Sequence, residues 1–218
     1  DDIVILSGAR TAIGTFGGAL AGTPTTTLGA TVAKAALDRA GVEGGQIGHV
    51  VFGNVINTEP RDMYLSRVAA LEAGVPDAVP AMNVNRLCGS GVQAIVSVVQ
   101  SLMLGDADFA LAGGAESMSR APYILPAARW GQKMGDVASL DMLLSTLNCP
   151  FGTGHMGITA ENVAGEHEVS REEQDAFAML SQERAAAAIE SGYFKEQIVP
   201  IDVRKGRDTV MFEVDEHP

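Results

Sequence analysis

Two rhythms of apolar positions run along the chain. Residues 3–7, Ile-Val-Ile-Leu-Ser, form a continuous apolar run, the pattern of a strand buried on both faces. Residues 11–27 are rich in Gly and Thr and predict a loop. Across 28–40 the apolar residues Leu28, Val32, Ala36 and Leu37 recur at helical spacing, and Gly41 supplies a C-terminal stop. Residues 49–55 predict a strand, 64–73 a short helix ending at Gly74, and 81–85 a second short strand. The clearest helix follows. Over 91–104, Val92, Ile95, Val96, Val99, Leu102 and Met103 line one face, and Gly105-Asp106 ends it. Residues 109–112 then predict a buried strand stopped by Gly113-Gly114. Strands alternating with helices imply βαβ units, hence an α/β fold with a mainly parallel sheet and helices on both faces.

After residue 118 the rhythm breaks. Pro122, Pro126, Gly131 and Gly135 interrupt any long element up to about 148, and a domain boundary is placed near 118–120. Residues 159–165 predict a short helix. Ser170-Arg171-Glu172-Glu173 is a capping box, in which Ser170 and Glu173 satisfy each other's backbone donors, opening a helix that runs to about 191 and stops at Gly192. Arg204-Lys205-Gly206-Arg207 reads as a solvated turn.

Composition narrows the function classes. Of 218 residues, 46% are hydrophobic, so a sizeable core is available, and 25 Gly with 5% aromatics suit layers packed through small residues. A net charge of −12 disfavours nucleic acid, whose affinity rests on Lys/Arg–phosphate contacts, and disfavours an anionic membrane surface. Two cysteines cannot make a disulfide framework, and no Cys/His spacing suggests a metal site. The N-terminal run lacks a basic segment, and no stretch is expected to approach the roughly 18 uncharged apolar residues of a membrane span. A cytoplasmic, reducing setting is the expectation.

The candidate chemistry centres on Cys88, in Asn83-Val84-Asn85-Arg86-Leu87-Cys88-Gly89-Ser90-Gly91, between a predicted strand and a predicted helix. The positive end of a helix, with its unpaired N–H groups, favours the nucleophilic thiolate. The small residues that follow let a substrate approach the backbone. The bland alternative is a buried, inert thiol. His155, in a Gly-rich turn ahead of a helix, is the best placed of four His to act as a base, although its spacing does not single it out. Residues 89–94 also match a GxGxxA dinucleotide fingerprint with Glu116 after the next strand, a weak competing motif. Cys149 reads as an incidental thiol.

Four segments in order resemble the thiolase family. They are Ile3-Val4-Ile5-Leu6-Ser7-Gly8-Ala9-Arg10-Thr11-Ala12-Ile13-Gly14 with Phe16-Gly17-Gly18; the Cys88 segment; Ala112-Gly113-Gly114-Ala115-Glu116-Ser117-Met118-Ser119; and His155-Met156-Gly157-Ile158-Thr159-Ala160-Glu161-Asn162-Val163-Ala164. The resemblance spans the whole chain but only about the first half of a thiolase. It implies a layered α-β-α-β-α architecture, with residues 1–118 as the N-terminal α/β domain, 119–218 as an incomplete loop (lid) domain, and the C-terminal half missing. It implies an acyl-CoA acyltransferase that cleaves a short-chain 3-ketoacyl-CoA or condenses two acyl-CoA through acyl-Cys88, with the Cys88 N–H donating to an oxyanion. Leu147 and His155 would line the CoA channel, and Met156 would bound the acyl group. Coenzyme A thioesters are substrates, no separate cofactor or metal is implied, and the partners are acyl-CoA, CoA, the missing C-terminal half and further copies in a homodimer or homotetramer. The family's base His, in a Gly-His-Pro-like segment, and its second catalytic Cys, in a Cys-Gly-Gly-like segment, have no match here, and Cys149 and His155 do not take those roles. Two alternatives stay open: another condensing enzyme of the superfamily (a ketoacyl synthase or hydroxymethylglutaryl-CoA synthase), or an inactive assembly module of a split thiolase.

Overall fold

A mostly buried strand, Ile47–Gly53, flanked by helices is the centre of the structure, a computed structural model that describes residues 2–217. Asp1 and Pro218, the outermost positions of the two domains expected from the sequence, lie outside the described residues. Helix α1 (Thr25–Ala40) leads to β1 (Ile47–Gly53), a 3-10 turn (Pro60–Tyr64) and α2 (Leu65–Glu72). Then come β2 (Ala81–Val84), α3 (Ser90–Leu104) and β3 (Phe109–Gly114). The three strands form a parallel sheet in the order β2-β1-β3, with Phe52 level with Asn83 and Gly113. The glycine stops work as anticipated, since Gly41 and Gly105 take the left-handed conformation and their N–H groups close the ends of α1 and α3.

The core has two layers, one on each face of the sheet. Val50, Phe52 and Leu111 pack with Ala33 and Leu37 of α1 and Leu65 and Ala69 of α2. On the other face Val51 packs with Ala94 and Val98 of α3. Gly113 is needed for this, because a Cβ there would lie 2.6 Å from the Phe52 ring. Burial of a Phe or Leu side chain in such a layer stabilises by about 1.5–3 kcal/mol.

Two expectations are corrected. Residues 3–7 are not a buried strand: they have no strand pairing, and Val4 and Ile5 are 66% and 83% exposed. A run apolar on both faces becomes a buried strand only when a neighbouring strand takes its N–H and C=O groups. Here a cavity of about 950 Å³ is lined by the run together with α1, α3 and β3. The second correction concerns residues 87–104, an uncharged stretch that is long and apolar enough to cross a membrane by length and composition. Its Ala94 and Val98 pack on the sheet, while Val92, Met103 and Leu104 form an exposed apolar face.

The described residues divide into two compact units, residues 2–120 with 195–217, and residues 121–194. In the first, 195–217 returns to the N-terminal loop through the hairpin β8 (Ile201–Lys205) and β9 (Asp208–Phe212), which turns at left-handed Gly206. Asp215 takes both Arg10 guanidinium nitrogens, at 2.7 and 2.8 Å, and the Ile13 N–H at 2.7 Å. Glu216 accepts from the N–H groups of Thr15 and Ala19.

The second unit is built from short elements. β4 (Tyr123–Ile124) pairs with β5 (Leu140–Asp141), followed by α4 (Met142–Leu147). β6 (Asn148–Cys149) pairs with β7 (Gly154–His155), and α5 (Met156–Glu166) and α6 (Arg171–Glu190) complete it. The capping box forms as read: the Ser170 Oγ accepts from the Glu173 N–H, and the Glu173 carboxylate from the Ser170 N–H.

Candidate active site

Cys88 lies in the turn between β2 and α3, exposed, one residue before the N-cap Gly89. The carboxyl ends of parallel strands are where open α/β sheets place their chemistry, and this turn follows such an end. The approach to it is fixed by a buried polar network. Asp62, fully buried, accepts from the Thr25 hydroxyl, the Thr58 hydroxyl at 2.7 Å and the N–H groups of Thr58 and Glu59. The Asp62 C=O accepts from Asn83 Nδ2, and Asn83 Oδ1 takes the N–H and hydroxyl of Ser66. The last side chains of β2 are thereby tied to the 3-10 turn and α2. Although burial opposes ionisation of Asp62, its four donors outweigh this and hold the carboxyl below the usual carboxylate range.

The turn itself is tight. Leu87 has φ +48°, the left-handed region, which only one other non-glycine residue (Glu168) shares among the described residues. Asn85 Oδ1 accepts from the Leu87 N–H at 3.0 Å, and the Gly89 N–H donates to the Arg86 C=O. The Arg86 guanidinium donates to Gln93 on α3. Glu116, weighed as a ribose ligand in a dinucleotide reading, is occupied within the fold. It accepts from the N–H groups of Val55 and Ile56 and from Asn54 Nδ2, and loss of hydration pushes its carboxyl up. That leaves the GxGxxA match without its acidic partner.

The other candidates gather at one place in the second unit. Leu147 ends α4, and His155 is level with Asn148 across the β6–β7 hairpin and caps α5, its Nδ1 accepting the Gly157 N–H at 3.0 Å. An accepting Nδ1 puts the proton of a neutral imidazole on Nε2, which is left able to donate. Met156 follows, partly exposed. The structure thus brings Leu147, His155 and Met156 together at one end of a hairpin, and places Cys88 in the other unit.

Cys149 was read from the sequence as an incidental thiol, and its surroundings were not foreseen. It sits in the same hairpin, half-buried, where the Thr153 hydroxyl and then the N–H groups of Phe151, Thr153 and Gly152 hold its thiol below the usual range. The turn glycines Gly152 and Gly154, both at positive φ, create this cup of donors. Their spacing after Pro150 was the available signal.

The model of the family described as "Thiolase, N-terminal domain" matches residues 3–218. The chain is 60% identical to the beta-ketothiolase BktB of Cupriavidus necator, over 99% of this chain and 55% of that protein. Its fold is similar to the crystal structure of the Bacillus anthracis acetyl-CoA acetyltransferase (TM-score 0.92, 42% identity, 99% of this chain and 54% of that one). It is also similar to the human mitochondrial 3-ketoacyl-CoA thiolase in complex with CoA (TM-score 0.91, 40% identity, 97% and 53%). The chain spans about half the length of the relatives it matches.

Proposed function

This chain belongs to the thiolase family, and from that premise we propose that it supplies the nucleophile of an acyl-CoA acyltransferase, with Cys88 as the acyl acceptor. The observation that carries the reading is a cysteine held at the start of α3, at the carboxyl end of a parallel sheet, within a family-matched segment. In the cleaving direction the Cys88 thiolate attacks the 3-keto carbon of a 3-ketoacyl-CoA. The C2–C3 bond breaks, the C2 carbanion takes a proton and leaves as acetyl-CoA, and the acyl group stays on sulfur. A CoA thiolate then attacks that thioester, giving acyl-CoA and free Cys88. The Cys88 N–H serves as one oxyanion donor, a role worth roughly 2.7–4 kcal/mol in related chemistry.

His155 and Leu147 contact CoA, and Met156, beside them, bounds the acyl group and favours short chains. The proton transfers fall to groups in the part of the relatives' length that this chain does not span, and the exposed apolar face of α3 is where that part packs. Thiolysis of acetoacetyl-CoA by the full-length protein tests the reading. Cys88→Ala should lower kcat roughly a thousandfold or more, and activity retained within tenfold would refute it.

A further inference from the structure

We propose that Ser90 is a positioning residue for Cys88, acting through Leu87. The inference rests on the reading of Cys88 as the nucleophile and extends it to a residue that acts through the backbone of the turn. Leu87 immediately precedes Cys88 and occupies the left-handed region, which costs a branched L-residue about 1–2 kcal/mol. Its side chain is exposed, so packing does not hold it there. What holds it is hydrogen bonding to Ser90. The Ser90 hydroxyl donates to the Leu87 C=O at 2.6 Å and accepts from the Arg86 N–H at 2.9 Å, and the Ser90 N–H donates to the same carbonyl at 3.0 Å. Asn85 takes the Leu87 N–H, so both backbone groups of the strained residue are engaged.

Ser90 is itself immobilised. It is 5% exposed, and the end of β1 abuts it so closely that a Cβ on Gly53 would meet Ser90 backbone and side-chain carbon at 2.8 Å. The core of the α/β unit therefore reaches the nucleophile through one chain of contacts: Gly53 against Ser90, Ser90 onto Leu87, Leu87 into Cys88. Strain that the surroundings over-determine in this way fixes a reactive group in one attitude. Here that attitude keeps Cys88 one residue ahead of the α3 N-cap, with its backbone fixed at the mouth of the helix.

Iodoacetamide alkylation followed by peptide mass analysis reads this without acyl-CoA, with Cys149 of the same molecule as internal reference. Ser90→Ala should slow Cys88 alkylation about five- to tenfold at neutral pH, the equivalent of one buried hydrogen bond, and leave the Cys149 rate unchanged. Adding Leu87→Gly, which makes positive φ inexpensive, should restore at least half of the loss. A serine that merely packed would not be rescued by glycine three residues away. An unchanged Cys88 rate in S90A, or a loss that L87G does not restore, overturns the proposal. If S90A does not fold, Asn85→Ala at the exposed side of the turn gives the same readout: slowing of about twofold, restored by L87G, supports it, and no slowing overturns it. Failure of acyl transfer to wild-type Cys88 would instead remove the nucleophile reading and leave the alkylation result standing.

Discussion

Phe52 and Phe151 show how differently the two units are made. Phe52 is 1% exposed, between α1, α2 and β3, whereas Phe151 is 92% exposed at the tip of the β6–β7 hairpin. The contrast is general. The first unit holds the buried core, while no residue from 121 to 194 is buried. The second unit is held by local devices: a capping box on α6, Asp141 accepting from the Leu143 and Leu144 N–H groups at the start of α4, and hairpins two residues deep. Each cysteine takes its character from the unit around it. Cys88 follows Leu87, whose C=O is held by the buried Ser90, whereas the Cys149 thiol is surrounded by donors within four residues of itself. Rigid placement of a nucleophile needs the first kind of support. A local cup can make a thiol acidic without aiming it at anything.

Truncations on the two sides should separate these regimes most sharply. Phe52→Ala is expected to cost about 3–5 kcal/mol of stability, as buried aromatic deletions do. Phe151→Ala should stay within about 0.5 kcal/mol, as an exposed substitution. Both are read from denaturant melts of the far-UV signal. A loss near 3 kcal/mol from F151A would mean that the second unit has a core after all.

The first unit also has a charged closure, which gives the next largest effect. Bidentate hydrogen bonding from Arg10, with the Ile13 N–H, holds the Asp215 carboxyl below its usual range. N–H donors from Thr15 and Ala19 do the same for Glu216. A carboxyl whose folded pKa is depressed stabilises the fold above its ordinary pKa and loses that contribution as pH falls through the folded value. Stability should therefore decline on acidification below the ordinary carboxylate range near pH 4. Asp215→Asn should cost about 2 kcal/mol at pH 7 and converge with wild type at the acid end. Parallel pH curves for the two proteins would show that Asp215 is not responsible.

The sequence was legible where the physics is local. The span of helix α3, the Gly stops at 41 and 105 and the Ser170 capping box depend on a few neighbouring residues and formed as read. The run at 3–7 failed because strand burial needs a partner edge, which periodicity does not supply. The hairpin at 201–212 went unread although Ile201, Val203 and Phe212 sit at alternating buried positions around Gly206. The charged Arg204-Lys205-Gly206-Arg207 turn interrupts that period of two. The place of Cys88 just ahead of a helix was legible in the sequence. The Asp62–Asn83–Ser66 network and the Ser90 clamp behind it were not, since they join residues brought together only by the fold.

The site of acylation decides most directly between a nucleophile aimed by the core and a merely acidic thiol. The full-length protein would be incubated with acetyl-CoA, quenched in acid and digested, and its peptides mapped by mass. An acetyl group on the peptide containing Cys88, with Cys149 unmodified, is the expected result. Acetylation of Cys149, or of neither cysteine, would contradict it.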